Sequence, residues 1–135
     1  MAESLKLSVV TPEGSLFSGE ASFVAAPAWD GEVGILPGHA AMIAALGTGE
    51  LRIERPESGT KTVDRYAVRG GFLQVLDDEV TLLVTEAKTP DGVDAKVVKG
   101  DLEQILADLR HPEDDEDFVR LLAERQWLET QRKFD

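Results

Sequence analysis

The stretch Phe72-Leu73-Gln74-Val75-Leu76-Asp77-Asp78-Glu79-Val80-Thr81-Leu82-Leu83-Val84 decides the fold. Apolar residues fill both flanks and three carboxylates stand between them, so it reads as strand, turn and strand. Working upstream, Leu51 and Ile53 alternate with Arg52 and Glu54, and Pro56-Glu57-Ser58-Gly59 forms a hairpin-type connection to Val63, Tyr66 and Val68. At the start of the chain Leu5, Leu7 and Val9 alternate with Lys6, Ser8 and Val10, the pattern of a half-buried strand. Thr11-Pro12-Glu13-Gly14 follows as a turn, with Pro and Gly suited to its second and fourth positions. Leu16-Phe17 and Phe23-Val24-Ala25 come next, before Pro27, Asp30-Gly31, Gly34 and Pro37-Gly38 cut the chain again. Short strands at this spacing predict an antiparallel β-sandwich or barrel.

Beyond Thr89-Pro90-Asp91-Gly92 the period changes. Val98, Leu102, Ile105, Leu106 and Leu109 share one helical stripe, with Asp101 as N-cap and Gln104 three residues on. Gly100 weakens the helix just before it, and residues 94–99 are either helix or an approach segment. Pro112 ends this element or opens the next. Glu113-Asp114-Asp115-Glu116-Asp117 supplies carboxylates to the positive end of a second helix. That helix carries Phe118, Val119, Leu121, Leu122 and Leu128 on one broad face, with Trp127 and Phe134 on roughly the opposite side. The expected organisation is a β-sandwich over residues 1–88 and a helical hairpin over residues 89–135.

Composition limits the function. Lys and Arg number 14 against 26 Asp and Glu, a net charge of −12, which argues against nucleic acid or an anionic membrane as partner. Apolar residues make up 42%, enough for a packed core. With no cysteine, thiol nucleophiles, disulfides and Cys-ligated metals are excluded. No apolar run is long enough to span a bilayer, and Met1-Ala2-Glu3-Ser4-Leu5-Lys6 lacks the form of a secretory signal.

Chemistry-bearing patterns are sparse. Gly31, Gly34 and Gly38 suggest a phosphate loop, but no Lys-Ser/Thr follows, so they shape turns instead. Asp30, Glu32 and His39 could form a hydrolytic or metal constellation, yet the second His lies far off at His111 and no oriented Ser is present. The acidic run 113–117 lacks the central Gly of a calcium loop. No catalytic residue, metal or cofactor is expected.

Several segments together resemble a known family. Asp30-Gly31-Glu32-Val33-Gly34-Ile35-Leu36-Pro37-Gly38-His39-Ala40 resembles the signature loop of the epsilon subunits of F-type ATP synthases. Leu7 to Gly14 with Leu16-Phe17-Ser18-Gly19 is similar to the family's opening strands, and Leu46-Gly47-Thr48-Gly49-Glu50-Leu51 to its central turn. Tyr66 to Val75 resembles its penultimate hairpin, and Val80-Thr81-Leu82-Leu83 its closing strand. The match is colinear over residues 5–87.

The resemblance implies a non-catalytic central-stalk subunit, coupling the c-ring and the gamma subunit to the catalytic head. It places the complex on the cytoplasmic face of a bacterial plasma membrane, with no direct lipid insertion. Asp30, Gly31 and Glu32 would meet the c-ring, and His39, Ala40 and Met42 the gamma subunit. Arg125, Trp127, Arg132 and Phe134 are candidate regulatory contacts, through which the helices would reach the alpha/beta head and restrain ATP hydrolysis. Some relatives bind ATP through Ile/Leu-Asp-x-x-Arg-Ala. Here Ile105-Leu106-Ala107-Asp108-Leu109-Arg110-His111 sets Asp and Arg two apart, on different helix faces, so ATP binding is not expected. The competing reading is a β-sandwich adaptor with a helical peptide-capture tail.

Overall fold

The computed structural model describes residues 4–56 and 62–134. The chain divides into two compact units, Met1–Ala87 and Lys88–Asp135. The first holds the strands β1 (Leu5–Thr11), β2 (Gly14–Ala21), β3 (Phe23–Ala28), β4 (Gly31–Ile35), β5 (Met42–Ala45), β6 (Thr48–Arg55), β7 (Thr62–Leu76) and β8 (Glu79–Lys88). They hydrogen-bond in the order β2-β1-β8-β7-β6-β3-β4, and β5 pairs with β7 outside that path. The connection predicted at Glu57-Ser58-Gly59 lies outside the described residues.

Alternation sets the core. Leu5, Leu7 and Val9 of β1, Leu51 and Ile53 of β6, Val68, Leu73 and Val75 of β7 and Val80, Leu82 and Val84 of β8 are all buried in one apolar cluster. Their neighbours in sequence point away from it, as a pleated strand requires.

Four details depart from the sequence reading. The sheet is not wholly antiparallel: β1 runs parallel to β8, with Leu7 opposite Val80 and Val9 opposite Leu82. Pro27 does not break the chain. It sits inside β3 opposite Glu32, beyond the last β3–β6 pair at Ala25↔Arg52, where no ladder partner needs its missing N–H. The segment Tyr66–Val75 is not a hairpin, because β7 continues through it as one strand. It is bent at Gly70 and Gly71, whose φ values are 73° and 120°. The fourth departure is a strand not anticipated, β5, which lies against β7 through Met42↔Val75 and Ala45↔Phe72.

The second unit begins with a 3-10 turn, Pro90–Gly92, capped by the Thr89 hydroxyl. Helix α1 (Ala95–Asp108) starts at Asp94, whose carboxylate accepts from the Lys96 and Val97 amides. Asp101 therefore lies inside α1 and is not its cap. The earlier Asp wins because it stands outside the helix in extended backbone, free to turn onto the first amides. Helix α2 (Asp115–Arg132) is capped by Asp114, with Asp115, Glu116 and Asp117 in its first turn. Val98 and Leu102 of α1 pack with Leu128 of α2, flanked by Val93 and Ile105.

The expected stripe on α2 is also corrected. Leu121, Trp127 and Leu128 are buried, whereas Phe118, Val119 and Leu122 are exposed. At 100° per residue the buried set covers the half of the circumference that also holds Thr130 and Gln131. Leu106, assigned to the α1 stripe, is likewise exposed.

Candidate functional site

The signature segment spans the β3–β4 hairpin and the loop after it. Trp29 and Asp30 form the hairpin's tip, and Gly31 follows at φ 132°, a conformation that L side chains rarely adopt. Asp30, Gly31 and Glu32 are exposed. Glu32 is not free: its Oε1 accepts from the Arg52 guanidinium at 3.0 Å, in a pair about half exposed on both sides. Across β6–β7, Arg52 stands directly opposite Arg65. Two facing guanidinium groups repel unless each has an anion. Arg65 has Glu50, whose two carboxylate oxygens each accept a bond from it at 2.9 Å. The hydrogen bonds it donates to Glu50 raise the Arg65 pKa, holding its charge more firmly. Glu32 is the anion beside Arg52.

The next loop carries His39 and Ala40. The His39 amide donates to Leu36 O at 3.1 Å, and its Nδ1 lies 2.7 Å from Ala40 O, so the tautomer protonated on Nδ1 donates there. Gly38 N–H is bound by the Asp78 carboxylate of the β7–β8 turn at 2.7 Å. His39 is half-buried and Ala40 exposed. The imidazole is thus engaged with its own loop. Among the described residues, no group of three or more His, Asp or Glu is placed to hold a metal ion.

Met42 is half-buried and packs against the sandwich core. The strand β5 alternates, so the residue beside Met42 faces out, and Ile43 is 76% exposed. Ile43 belongs to a larger outer surface that sequence reading did not find. Val10 of β1 stands opposite Leu83 of β8, and Phe72 of β7 stands opposite Ala45 of β5. Phe72 is 60% exposed and Leu83 54%. Val10, Pro12, Phe72 and Leu83 line one shallow apolar groove. The signal was present in the consecutive pairs Val9-Val10, Phe72-Leu73 and Leu82-Leu83, where alternation leaves one apolar residue of each pair outside.

In the second unit, Arg125 lies 3.8 Å from Glu129, one helical turn on. Arg132 and Lys133 are exposed at the end of α2, and Phe134 is half-buried. Trp127 is only 4% exposed, so it offers no open face for a further contact in this arrangement. Asp108 and Arg110 are both exposed at the end of α1. No described helix is long and apolar enough to cross a membrane.

Comparison with known proteins converges on one family. A model of the ATP synthase Delta/Epsilon chain, beta-sandwich domain, matches residues 4–90. The ATP synthase epsilon chain of a Synechococcus species is 42% identical over 100 residues, covering 74% of this chain and 71% of that one. That of Desulforamulus reducens is 42% identical over 109 residues, covering 78% and 80%. A chain in the Euglena gracilis mitochondrial ATP synthase complex of OSCP, F1 and c-ring superposes with a TM-score of 0.85 at 22% identity, over 98% of this chain and 82% of that one. A chain in the Tetrahymena thermophila mitochondrial ATP synthase central stalk and c-ring gives 0.62 at 17% identity, over 96% and 94%. The structural likenesses establish the fold; the sequence matches, over residues 4–90 for the family model and about three quarters of this chain and of each relative, establish more, and the chain belongs to the ATP synthase epsilon chain family, non-catalytic accessory subunits of that complex.

Proposed function

We propose that this chain is a central-stalk subunit whose sandwich clamps the gamma subunit to the c-ring. The observation that carries the reading is the exposed apolar surface of Val10, Ile43, Phe72 and Leu83. An antiparallel sheet face turned to water is normally polar, and contiguous apolar exposure marks a contact surface. Phe72 is the natural anchor, since aromatic residues dominate interface energetics. The occupant is gamma: the surface belongs to the same unit as the His39-Ala40 loop, and a subunit of a rotary stalk must hold its shaft through a contact that does not slip.

The β3–β4 tip, Asp30, Gly31 and Glu32, meets the c-ring in this reading. Its hairpin is narrow, exposed and acidic, suited to reach into polar loops. A rim ion pair there contributes only about 0–1 kcal/mol, so Glu32 orients the contact more than it tightens it. The complex sits on the cytoplasmic face of a bacterial plasma membrane, a placement supported by the bacterial origin of the similar epsilon chains. The helical unit restrains ATP hydrolysis at the alpha/beta head, with Arg125, Arg132 and Phe134 toward the end of α2 as its contacts.

The test is to replace Phe72 and Leu83 by Asp and measure gamma binding by the full chain. Both side chains are exposed, so the fold should survive, as circular dichroism would report, while gamma no longer co-purifies. Undiminished binding by the folded double variant would refute the assignment of this surface.

A further inference from the structure

Asp77 and Asp78 are the described non-glycine residues held in left-handed backbone, with φ values of 49° and 61°. A two-residue hairpin turn demands that conformation, and glycine is its ordinary occupant. An aspartate kept in this position needs another reason, and Asp78 makes two bonds that supply one. Its backbone carbonyl accepts the Lys6 amide at 2.8 Å, tying the turn to β1. Its carboxylate Oδ1 accepts the Gly38 amide at 2.7 Å, forty residues away along the chain. The bond is short and charge-assisted, the stronger kind of hydrogen bond. Gly38 stands at φ 87° and immediately precedes His39.

We infer that Asp78 is a positioning residue for the His39-Ala40 loop, holding it in the conformation that docks on gamma. The inference rests on the reading of that loop as a gamma contact. Without the carboxylate, the loop keeps the bond from the His39 amide to Leu36 O and the contact of its imidazole with Ala40 O, both internal to the segment. The Asp78 bond is the one that ties the Gly38 amide to the sandwich. A loop positioned in advance binds without having to be ordered on contact, which is the affinity advantage the carboxylate confers.

Two substitutions separate positioning from mere turn stability. Asp78→Gly removes the carboxylate, keeps the carbonyl that receives Lys6 N–H, and takes the left-handed backbone freely. Asp78→Asn keeps a side-chain oxygen that can accept from Gly38. A purely structural role predicts that Asp78→Gly raises Tm and changes nothing else. Positioning predicts that, with Tm unchanged or raised, the Gly38 amide of the free chain exchanges about tenfold faster or more, as loss of one charge-assisted bond implies. Gamma binding weakens in parallel by about tenfold, and Asp78→Asn recovers most of both. Unchanged Gly38 exchange in Asp78→Gly overturns the inference. Faster exchange with unaltered gamma affinity also overturns it, and the Phe72 and Leu83 variants then decide separately whether the sandwich still docks through its apolar surface.

Discussion

Replacing Gly71 by Ala should be the most damaging single-methyl change available in the sandwich. At φ 120° an alanine is strained whatever space surrounds it, at roughly 1–2 kcal/mol. Space is also lacking: a Cβ there would stand 1.9 Å from Leu83 O and 3.0 Å from Val84 Cα. Both neighbours are backbone of β8, so no side chain can swing aside. The β7 and β8 strands must part by about 1 Å, and two stretched ladder bonds at about 1 kcal/mol each raise the total to roughly 3–4 kcal/mol. A domain with a stability of about 5–15 kcal/mol survives this only narrowly. For a unit of this size each kcal/mol moves Tm by about 4–8 °C, so calorimetry should find the sandwich transition lowered by at least about 12 °C. Gly100→Ala is the control. Gly100 lies within α1 with nothing within 4 Å of its would-be Cβ, so alanine there should stabilise by about 0.5–1 kcal/mol. A Gly71→Ala chain within about 1 kcal/mol of the parent would refute the close approach of β7 to β8.

Three further outcomes follow from the site and the helices. Glu32→Arg should alter stability by less than about 1 kcal/mol, since its pair with Arg52 is exposed, yet lower proton-driven ATP synthesis in membrane vesicles severalfold; equal synthesis rates would remove Glu32 from coupling. Deleting residues 89–135 should raise ATP hydrolysis of the assembled enzyme about fivefold or more, the low end of typical allosteric couplings, and unchanged hydrolysis would leave the hairpin without a regulatory role. Asp117 is held below the ordinary value of 3.8, first by the Glu113 amide and then by Arg120. Because its folded pKa is depressed, its contribution is present above the unfolded value and lost as pH falls through the folded one. Asp117→Asn should therefore lower helix stability at neutral pH, and the difference should shrink as pH falls below the ordinary carboxylate range and vanish once the folded carboxylate is protonated; a pH-independent difference would refute the pairing.

The strands of the sandwich were legible because alternation is a local property. Leu5, Leu7, Leu51, Ile53 and Val75 are buried where the pattern put them. Where the pattern runs apolar on both parities, alternation alone does not tell inside from outside, so the exposed side chains of Ile43, Phe72 and Leu83 are not legible from it. The parallel β1–β8 pair was invisible for another reason, since nothing in either strand records which distant strand lies beside it. On α2 the cluster of Phe118, Val119 and Leu122 draws the expected face to one side, and tertiary packing buries the other, the one with Trp127. Asp94 and Asp101 both suit an N-cap, and only the backbone conformation distinguishes them.

The parallel register of β1 against β8 has a consequence for synthesis. β1 is made before the strand that flanks it opposite β2, which is complete only once Lys88 has been added. Until then one edge of β1 stays unsealed, its apolar Leu5, Leu7 and Val9 without the cover of Val80 and Leu82. The sandwich therefore cannot close progressively from its N-terminus. Closure waits for a long loop to be drawn shut, which places this unit among slowly folding, non-local topologies. During that interval the nascent chain is exposed to strand pairing with other chains, and a truncation before β8 should yield aggregates in place of a smaller folded protein.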